Sequence, residues 1–158
     1  MTNELLGITT DGCYVYDRHN SHLHYEGGLT KDLLAEAISR INSKDITKKN
    51  HKFVINFGHT IGYTTCVDID NTDETVNVYR KGRKGWTRMV KNRQPKECSE
   101  ITVIIRRFDG ILILITAYIG ASSPKEPWDP SIRTNKERVE CAKFWSKHAL
   151  IYDETLIQ

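Results

Sequence analysis

The feature that most constrains the fold is a pair of β-branched segments joined by a short turn. Ile101–Ile105 and Ile111–Ile119 flank Phe108-Asp109-Gly110, and an Asp-Gly pair between two such segments predicts a β-hairpin. Both arms are nearly continuous in apolar residues, which is typical of strands in the middle of a sheet. We therefore expect the rest of the chain to be arranged around this hairpin.

A helix is predicted on each side of the strand-rich region. Thr30 can cap a helix from about Lys31 to Ser43, whose apolar residues recur at intervals of three and four. Asn135 can cap a second helix from Lys136 to about Ala149. That helix would have one apolar face, formed by Val139, Ala142, Trp145 and Ala149.

Shorter segments complete the predicted architecture. Alternating or β-branched patterns predict further strands at 5–9, 13–16, 53–57, 64–69, 75–79 and 86–90. Three prolines between Ala121 and Arg133 predict an extended loop. Within this loop we expect Trp128 to pack onto the sheet as a latch, with a contact to substrate as the less favoured alternative.

These elements predict the fold class α+β over residues 1–158 as a single domain. An N-terminal helix would pack on a four- to six-stranded, mostly antiparallel sheet, followed by a C-terminal helix. The core would lie in residues 29–120, with a Pro-rich loop and the last helix in residues 121–158. A chain of 158 residues suits one domain.

Several functional classes lose their usual signatures. The chain has no apolar run near the roughly 20 residues that a membrane helix needs and no recognisable leader, so we expect a cytoplasmic protein without membrane contact. Its four cysteines form no close pair, and the phosphate-binding and dinucleotide-binding glycine motifs are absent. We therefore expect no metal and no cofactor. Metal binding by the three histidines at 19–24, or by the acidic residues at 68–74, is the less favoured interpretation.

Positive charge is concentrated in one block. Seven basic residues and no acidic residue lie between Arg80 and Arg93, and without the seven the formal charge falls from +3 to −4 (3 − 7). Such a block indicates a polyanionic partner, most often a nucleic acid, and Trp86 inside it could stack on a base. A solvated hairpin tip is the alternative. The predicted nucleic-acid contacts are Lys81, Lys84, Trp86, Arg88, Lys91 and Arg93.

A histidine and two strand hydroxyls are the candidate catalytic groups. Gly58-His59-Thr60-Ile61-Gly62 follows an apolar strand, and the glycines allow a turn that presents His59 as a general acid or base. Along the last strand, a period of two places Leu114, Thr116 and Tyr118 on one face. Ordinary turn and strand roles for these residues remain open.

The G-H-T-I-G turn, the basic strand residues and the Thr116-Ala117-Tyr118 triplet resemble the barnase/EndoU/colicin/RelE-like ribonuclease superfamily. Many of its members are toxin domains and others are phage-encoded. The resemblance covers about Leu29 to Gly120. It implies a metal-independent endoribonuclease that attacks with the RNA 2′-hydroxyl and leaves a 2′,3′-cyclic phosphate. It assigns catalytic roles to His59, Arg80, Arg83, Thr116 and Tyr118, with Arg88 as another phosphate-binding candidate.

Two other functional hypotheses stay open beside the ribonuclease. The basic hairpin at 80–93 could serve a non-catalytic nucleic-acid-binding module, or it could meet an acidic protein in a protein-interaction or immunity-type domain. Under the ribonuclease hypothesis the expected partners are RNA, with tRNA among the candidates, and a cognate inhibitor protein, because a free ribonuclease would harm its own cell.

Overall fold

The computed structural model describes residues 4–17, 27–120 and 123–158. The three histidines considered above as metal ligands (19, 22 and 24) lie outside these ranges. The helices are α1 (Lys31–Ile38) and α2 (Asn135–Trp145), and the strands in chain order are β1 (Glu4–Ile8), β2 (Tyr14–Asp17), β3 (His51–Asn56), β4 (Gly62–Thr64), β5 (Cys66–Asp68), β6 (Thr75–Tyr79), β7 (Trp86–Val90), β8 (Lys96–Cys98), β9 (Glu100–Phe108), β10 (Ile111–Ile119) and β11 (His148–Ile151).

The fold is mixed α/β and dominated by strands, which form more than the one predicted sheet. A five-stranded sheet has the order β1-β2-β10-β9-β3, a four-stranded sheet has the order β5-β11-β7-β6, and β4 pairs with β8. The chain divides into two compact units: unit 1 comprises residues 1–63 and 97–121, and unit 2 comprises residues 64–96 and 122–158. The strands predicted in the 29–120 core therefore belong to both units.

Unit 1 contains the predicted hairpin and the N-terminal helix. Strands β9 and β10 pair with Phe108 opposite Ile111, and the turn uses positive φ at Asp109 (49°) and Gly110 (79°). Thr30 caps α1 by accepting from the backbone N–H of Leu33 at 3.1 Å, as predicted. The helix ends at Ile38, earlier than expected, and it packs on β1 and β9.

The core of unit 1 lies between α1 and one face of its sheet. Leu34 and Ile38 of the helix are fully buried together with Val103, Ile105 and Leu114 of the central strands. Burying each such side chain contributes about 1.5–3 kcal/mol. All pairs in this sheet are antiparallel except β2 with β10, which is parallel.

A β-bulge in β10 corrects the predicted faces of that strand. The register passes from Leu114↔Ile105 directly to Thr116↔Ile104, so Ile115 is an extra residue and the alternation of side chains reverses. Leu114 consequently shares the core face with Ala117 and Ile119. The expectation that Leu114 lies on the face of Thr116 and Tyr118 is wrong, although these two still share a face.

Unit 2 is built on the hairpin of β6 and β7. They pair from Thr75↔Val90 to Tyr79↔Trp86, and β11 adds to β7 in parallel and to β5 in antiparallel orientation. Strand β11 replaces the predicted last turn of the C-terminal helix, which ends at Trp145. The helix is capped by Thr134 rather than by Asn135.

The predicted apolar face of α2 is also wrong. Val139 is 58% exposed, whereas Cys141 is the buried residue of the helix. Ala149 is buried, but it belongs to β11 and packs with Val67 and Val90. The apolar residues have helical spacing in the sequence, but they do not form one helix face, because the helix ends at Trp145 and Ala149 belongs to the strand that follows.

Candidate nucleic-acid interface

The loop between β6 and β7 carries the accessible part of the basic block. Lys81, Arg83 and Lys84 are exposed, and among the described residues none of the three has an ion pair within 4 Å. Arg80 is half-buried and its backbone forms a bridge with Ile157. The loop thus presents three cations to solvent within four positions, which suits the phosphates of a polyanion.

Other members of the block contact unit 2 itself. The guanidinium of Arg88 donates to the carbonyl oxygens of Trp145 at 2.9 Å and Ser146 at 3.3 Å, where α2 ends. Arg93 pairs with Asp73 at 3.0 Å, and the Lys91 ammonium lies 5.0 Å from the ring centroid of Tyr152. These three residues therefore have partners within unit 2, Arg88 also lines the cavity described next, and their role in nucleic-acid binding stays a prediction.

A cavity of about 270 Å³ lies beside this loop in unit 2. Its walls include Trp86, Trp128 and Trp145, which are all the tryptophans of the chain. Trp86 begins β7, Trp128 follows Pro127 in the Pro-rich loop, and Trp145 ends α2. Three separate elements therefore bring aromatic rings to one small cavity.

Hydrogen bonds from the indoles hold the Pro-rich loop in place. Trp128 Nε1 donates to the carbonyl oxygen of Trp86 at 2.7 Å, and Trp145 Nε1 donates to that of Lys125 at 3.2 Å. A Cβ on Gly85 would fall within the indole of Trp128, so only glycine permits this approach. The prediction that Trp128 acts as a latch on a sheet is confirmed, and the same residue also lines the cavity.

Glu126 is the acidic residue of the cavity wall. Its Oε1 accepts a hydrogen bond from the hydroxyl of Thr87, which is 1% exposed. Burial raises the pKa of Glu126 above its ordinary value, while the Thr87 hydrogen bond and the charges of Arg80 and Arg83 act in the opposite direction. A carboxyl group with a shifted pKa in an aromatic cavity, near basic residues, is characteristic of a binding or catalytic site.

His59 lies in unit 1, in the turn after β3. It is exposed, and its ring meets the edge of Phe57 with centroids 6.4 Å apart. The guanidinium of Arg40 lies 4.2 Å from the centroid of Phe57 on the same core. Arg40 also pairs with Glu36 at 3.0 Å. A histidine and an arginine thus flank one buried aromatic ring.

The two strand hydroxyls do not join His59 on this side of the sheet. Thr116 and Tyr118 lie on the face of β10 opposite the core that contains Phe57. Arg80 and Arg83, the predicted phosphate-binding pair, belong to unit 2. The five predicted catalytic residues are therefore distributed over two faces of unit 1 and over unit 2, and their catalytic role stays a prediction.

The acidic residues at 68–74 have partners of their own. Asp68 lies 2.7 Å from Nε2 of His148, whose Nδ1 contacts the carbonyl oxygen of Phe144 at 2.8 Å. Asp73 pairs with Arg93, and Asp70 accepts from Thr72. In the described ranges no group of three or more His, Cys, Asp or Glu side chains is placed to hold a metal ion.

Sequence reasoning misses three residues that the structure brings to these sites. Glu126 and Arg40 belong to no predicted site, and Trp145 is predicted only as part of an apolar helix face. The available signal was the rarity of tryptophan: the chain has three, and one of them lies in a Pro-Trp-Asp segment next to Glu126.

Comparisons with known proteins define the fold only. No family model matches the chain, and no curated protein matches its sequence. A crystal structure of a conserved hypothetical protein from Toxoplasma gondii ME49 is similar, with a TM-score of 0.55 and 9% identity, over 83% of this chain and 90% of that one. At this identity the likeness shows a shared fold. Within the described residues, neither helix has the length and apolar character needed to cross a membrane.

Proposed function

We propose that this protein binds single-stranded RNA through unit 2. The observation that carries the proposal is that three exposed cations, Lys81, Arg83 and Lys84, lie in the loop that leads directly into a cavity walled by every tryptophan of the chain. Cations neutralise phosphates and aromatic rings stack on bases, so the two together match a polyanion that carries planar rings.

The aromatic cavity favours a single strand over a duplex. Bases in a duplex are stacked on one another, whereas loops and single strands can place a base on an aromatic side chain. Trp86, which lines the cavity, is 46% exposed. Sequence-dependent recognition of RNA mostly uses such unstacked bases, and RNA is the polyanion that the ribonuclease resemblance implies.

Metal-independent cleavage of the bound RNA is the second candidate function. It is favoured by the exposure of His59 in its glycine-flanked turn and by Arg40 on the same aromatic ring. A histidine can take the proton of the 2′-hydroxyl, and a guanidinium that contacts the phosphate can stabilise the developing phosphorane charge. Arg40 would have to serve this role while paired with Glu36. The ribonuclease resemblance supports the same assignment for His59.

The binding proposal is tested with labelled oligonucleotides. We expect single-stranded RNA to bind more tightly than a duplex of the same sequence, and we expect the triple variant Lys81→Gln, Arg83→Gln, Lys84→Gln to lose at least about tenfold in affinity. Lys136→Gln, Lys143→Gln and Lys147→Gln, at exposed positions in and just after α2, form the matched control. Equal loss in both triple variants would contradict a specific role for the loop.

The cleavage proposal is tested with end-labelled RNA in EDTA. We expect fragments that end in a 2′,3′-cyclic phosphate, and we expect His59→Ala to slow their formation by a factor of about 10²–10⁴. His51→Ala, at another position on unit 1, is the control for general effects of losing a histidine. Cleavage at an unchanged rate by His59→Ala would remove His59 from the mechanism, and binding without cleavage would leave a binding module.

The cellular setting remains part of the proposal. A cytoplasmic location, a toxin or phage context and a cognate inhibitor protein are predictions that rest on the sequence and on the ribonuclease resemblance. Binding to an acidic protein but not to RNA would instead support the interaction-domain hypothesis.

A further inference from the structure

We propose that the tryptophan-lined cavity of unit 2 is a subsite for one guanine base and that Glu126 selects it. This inference rests on the proposed binding of single-stranded RNA and adds the identity of the base. It is carried by the size of the cavity, by the aromatic character of its walls and by the presence of a carboxylate among them.

The cavity has the size and lining for one ring system. Its volume of about 270 Å³ lies just below the range of sites for drug-sized ligands, roughly 300–1,000 Å³. Trp86, Trp128 and Trp145 supply large apolar surfaces on which a planar base can stack. Because all bases stack, the aromatic walls give affinity and a polar group must give selectivity.

Most polar donors of the cavity wall are already committed. Trp128 Nε1 and Trp145 Nε1 donate to backbone carbonyl oxygens, and the Arg88 guanidinium donates to the end of α2. Thr87 donates its hydroxyl to Glu126. Among the residues that line the cavity, Glu126 is the one with a carboxylate, and this makes it the candidate acceptor for a ligand.

A carboxylate selects guanine for a geometric reason. The ionised group only accepts, and its two oxygens offer about four lone-pair positions, of which Thr87 uses one. On its Watson–Crick edge guanine presents two adjacent donors, N1–H and the N2 amino group, which a carboxylate can accept together. Adenine and cytosine place an acceptor beside their amino group, and uracil flanks its imino group with two acceptors, so each faces a carboxylate with a repulsive atom.

The basic loop fits the rest of the nucleotide. Arg80 and Arg83 lie close enough to Glu126 to influence its charge, and Lys81 and Lys84 are exposed in the same loop. A base in the cavity would therefore place its flanking phosphates beside positive charge. The cations also offset the cost of keeping Glu126 ionised when a ligand excludes water.

The test measures base selectivity by tryptophan fluorescence. All three indoles line the cavity, so the intrinsic emission of the intact protein reports its occupation. The probes are heptauridine RNAs whose central base is guanine, adenine or cytosine, with heptauridine itself as reference. We expect the guanine probe to quench the emission and to bind about 10- to 100-fold more tightly than the others. We expect Glu126→Gln to abolish this preference and Glu140→Gln, at an exposed position on α2, to retain it.

Each outcome decides between the two proposals. Preference for guanine that is lost in Glu126→Gln supports the subsite. Equal affinity of the wild-type protein for all four probes overturns the subsite and leaves RNA binding intact, and this comparison needs no variant to fold. Tight binding without a change in tryptophan emission places RNA elsewhere and also overturns the subsite. Absence of binding to every probe overturns the proposed function together with the inference.

Discussion

At the scale of single residues, burial determines the chemistry of Glu126. The side chain lies among tryptophans and accepts from Thr87, and desolvation raises its pKa. Asp129, three positions along the chain and also partly exposed, behaves differently, because the hydrogen bonds from Ser131 lower its pKa. The pKa values of two neighbouring acidic residues thus shift in opposite directions, because desolvation is the largest effect at Glu126 and hydrogen bonding is the largest at Asp129.

The raised pKa predicts how stability depends on pH. Below the unfolded-state pKa of about 4.5, Glu126 is protonated in both the folded and the unfolded state, so its ionisation does not reduce the free energy of unfolding. As pH rises, the unfolded state loses its proton first, so the folded state is progressively disfavoured until the pH exceeds the folded pKa. We expect Glu126→Gln, which still accepts from Thr87, to become more thermostable than the wild-type protein over this interval.

Thermal unfolding of both proteins from pH 4 to pH 8 measures this difference. Glu140→Gln is the control, because Glu140 is exposed on α2 and does not line the cavity. A constant difference in melting temperature between Glu126→Gln and the wild-type protein at every pH would contradict a raised folded-state pKa.

At the scale of elements, the loop between β6 and β7 depends on Gly85. The position is buried, and the indole of Trp128 occupies the space that a side chain would need. Its φ is not positive, so steric contact rather than backbone strain requires glycine here. The Pro-rich loop therefore reaches β7 through a contact that a single methyl group would disrupt.

We expect Gly85→Ala to destabilise the protein by about 1–3 kcal/mol, as overpacking usually does, and to weaken RNA binding by displacing Trp128. Denaturant unfolding measures the first effect and fluorescence titration the second. Because the cost arises from contact with the indole, Gly85→Ala should cost little in a Trp128→Ala background. An equal cost in both backgrounds would assign it to another neighbour.

At the scale of the whole molecule, charge is divided unevenly along the chain. The segment Arg80–Arg93 carries +7, and the remainder carries −4. Within the block, Arg88 and Arg93 interact with unit 2, whereas the loop cations face solvent. Affinity for a polyanion should therefore depend on a few residues rather than on net charge.

This division predicts the salt dependence of RNA binding. Each phosphate neutralised on a single strand contributes about −0.7 to the slope of log affinity against log salt concentration. Replacing Lys81, Arg83 and Lys84 with Gln should reduce the magnitude of the slope by about 2. Titrations between low and moderate salt concentrations measure it, and an unchanged slope would show that other cations meet the phosphates.

Local sequence patterns were sufficient to predict those elements whose interacting residues are close together in the sequence. Strands β6, β7 and β10 occupy the predicted residues, and the Asp109-Gly110 turn and the Thr30 cap are as expected, because each depends on the conformational preferences of a few adjacent residues. The basic block is likewise visible from the sequence alone. What it contacts is not, because Arg88 and Arg93 find their partners across the fold.

The sequence by itself determined the hairpins, the first helix and its cap, and the concentration of positive charge, since these depend on side-chain type and spacing. Only the tertiary structure decided that β11 joins β7, that Ile115 forms a bulge and that three tryptophans from three elements line one cavity with Glu126. The physical reason is that pairing and burial between distant segments depend on the packing of the entire unit. Local propensity does not encode which strand is adjacent or which side chain fills a given space.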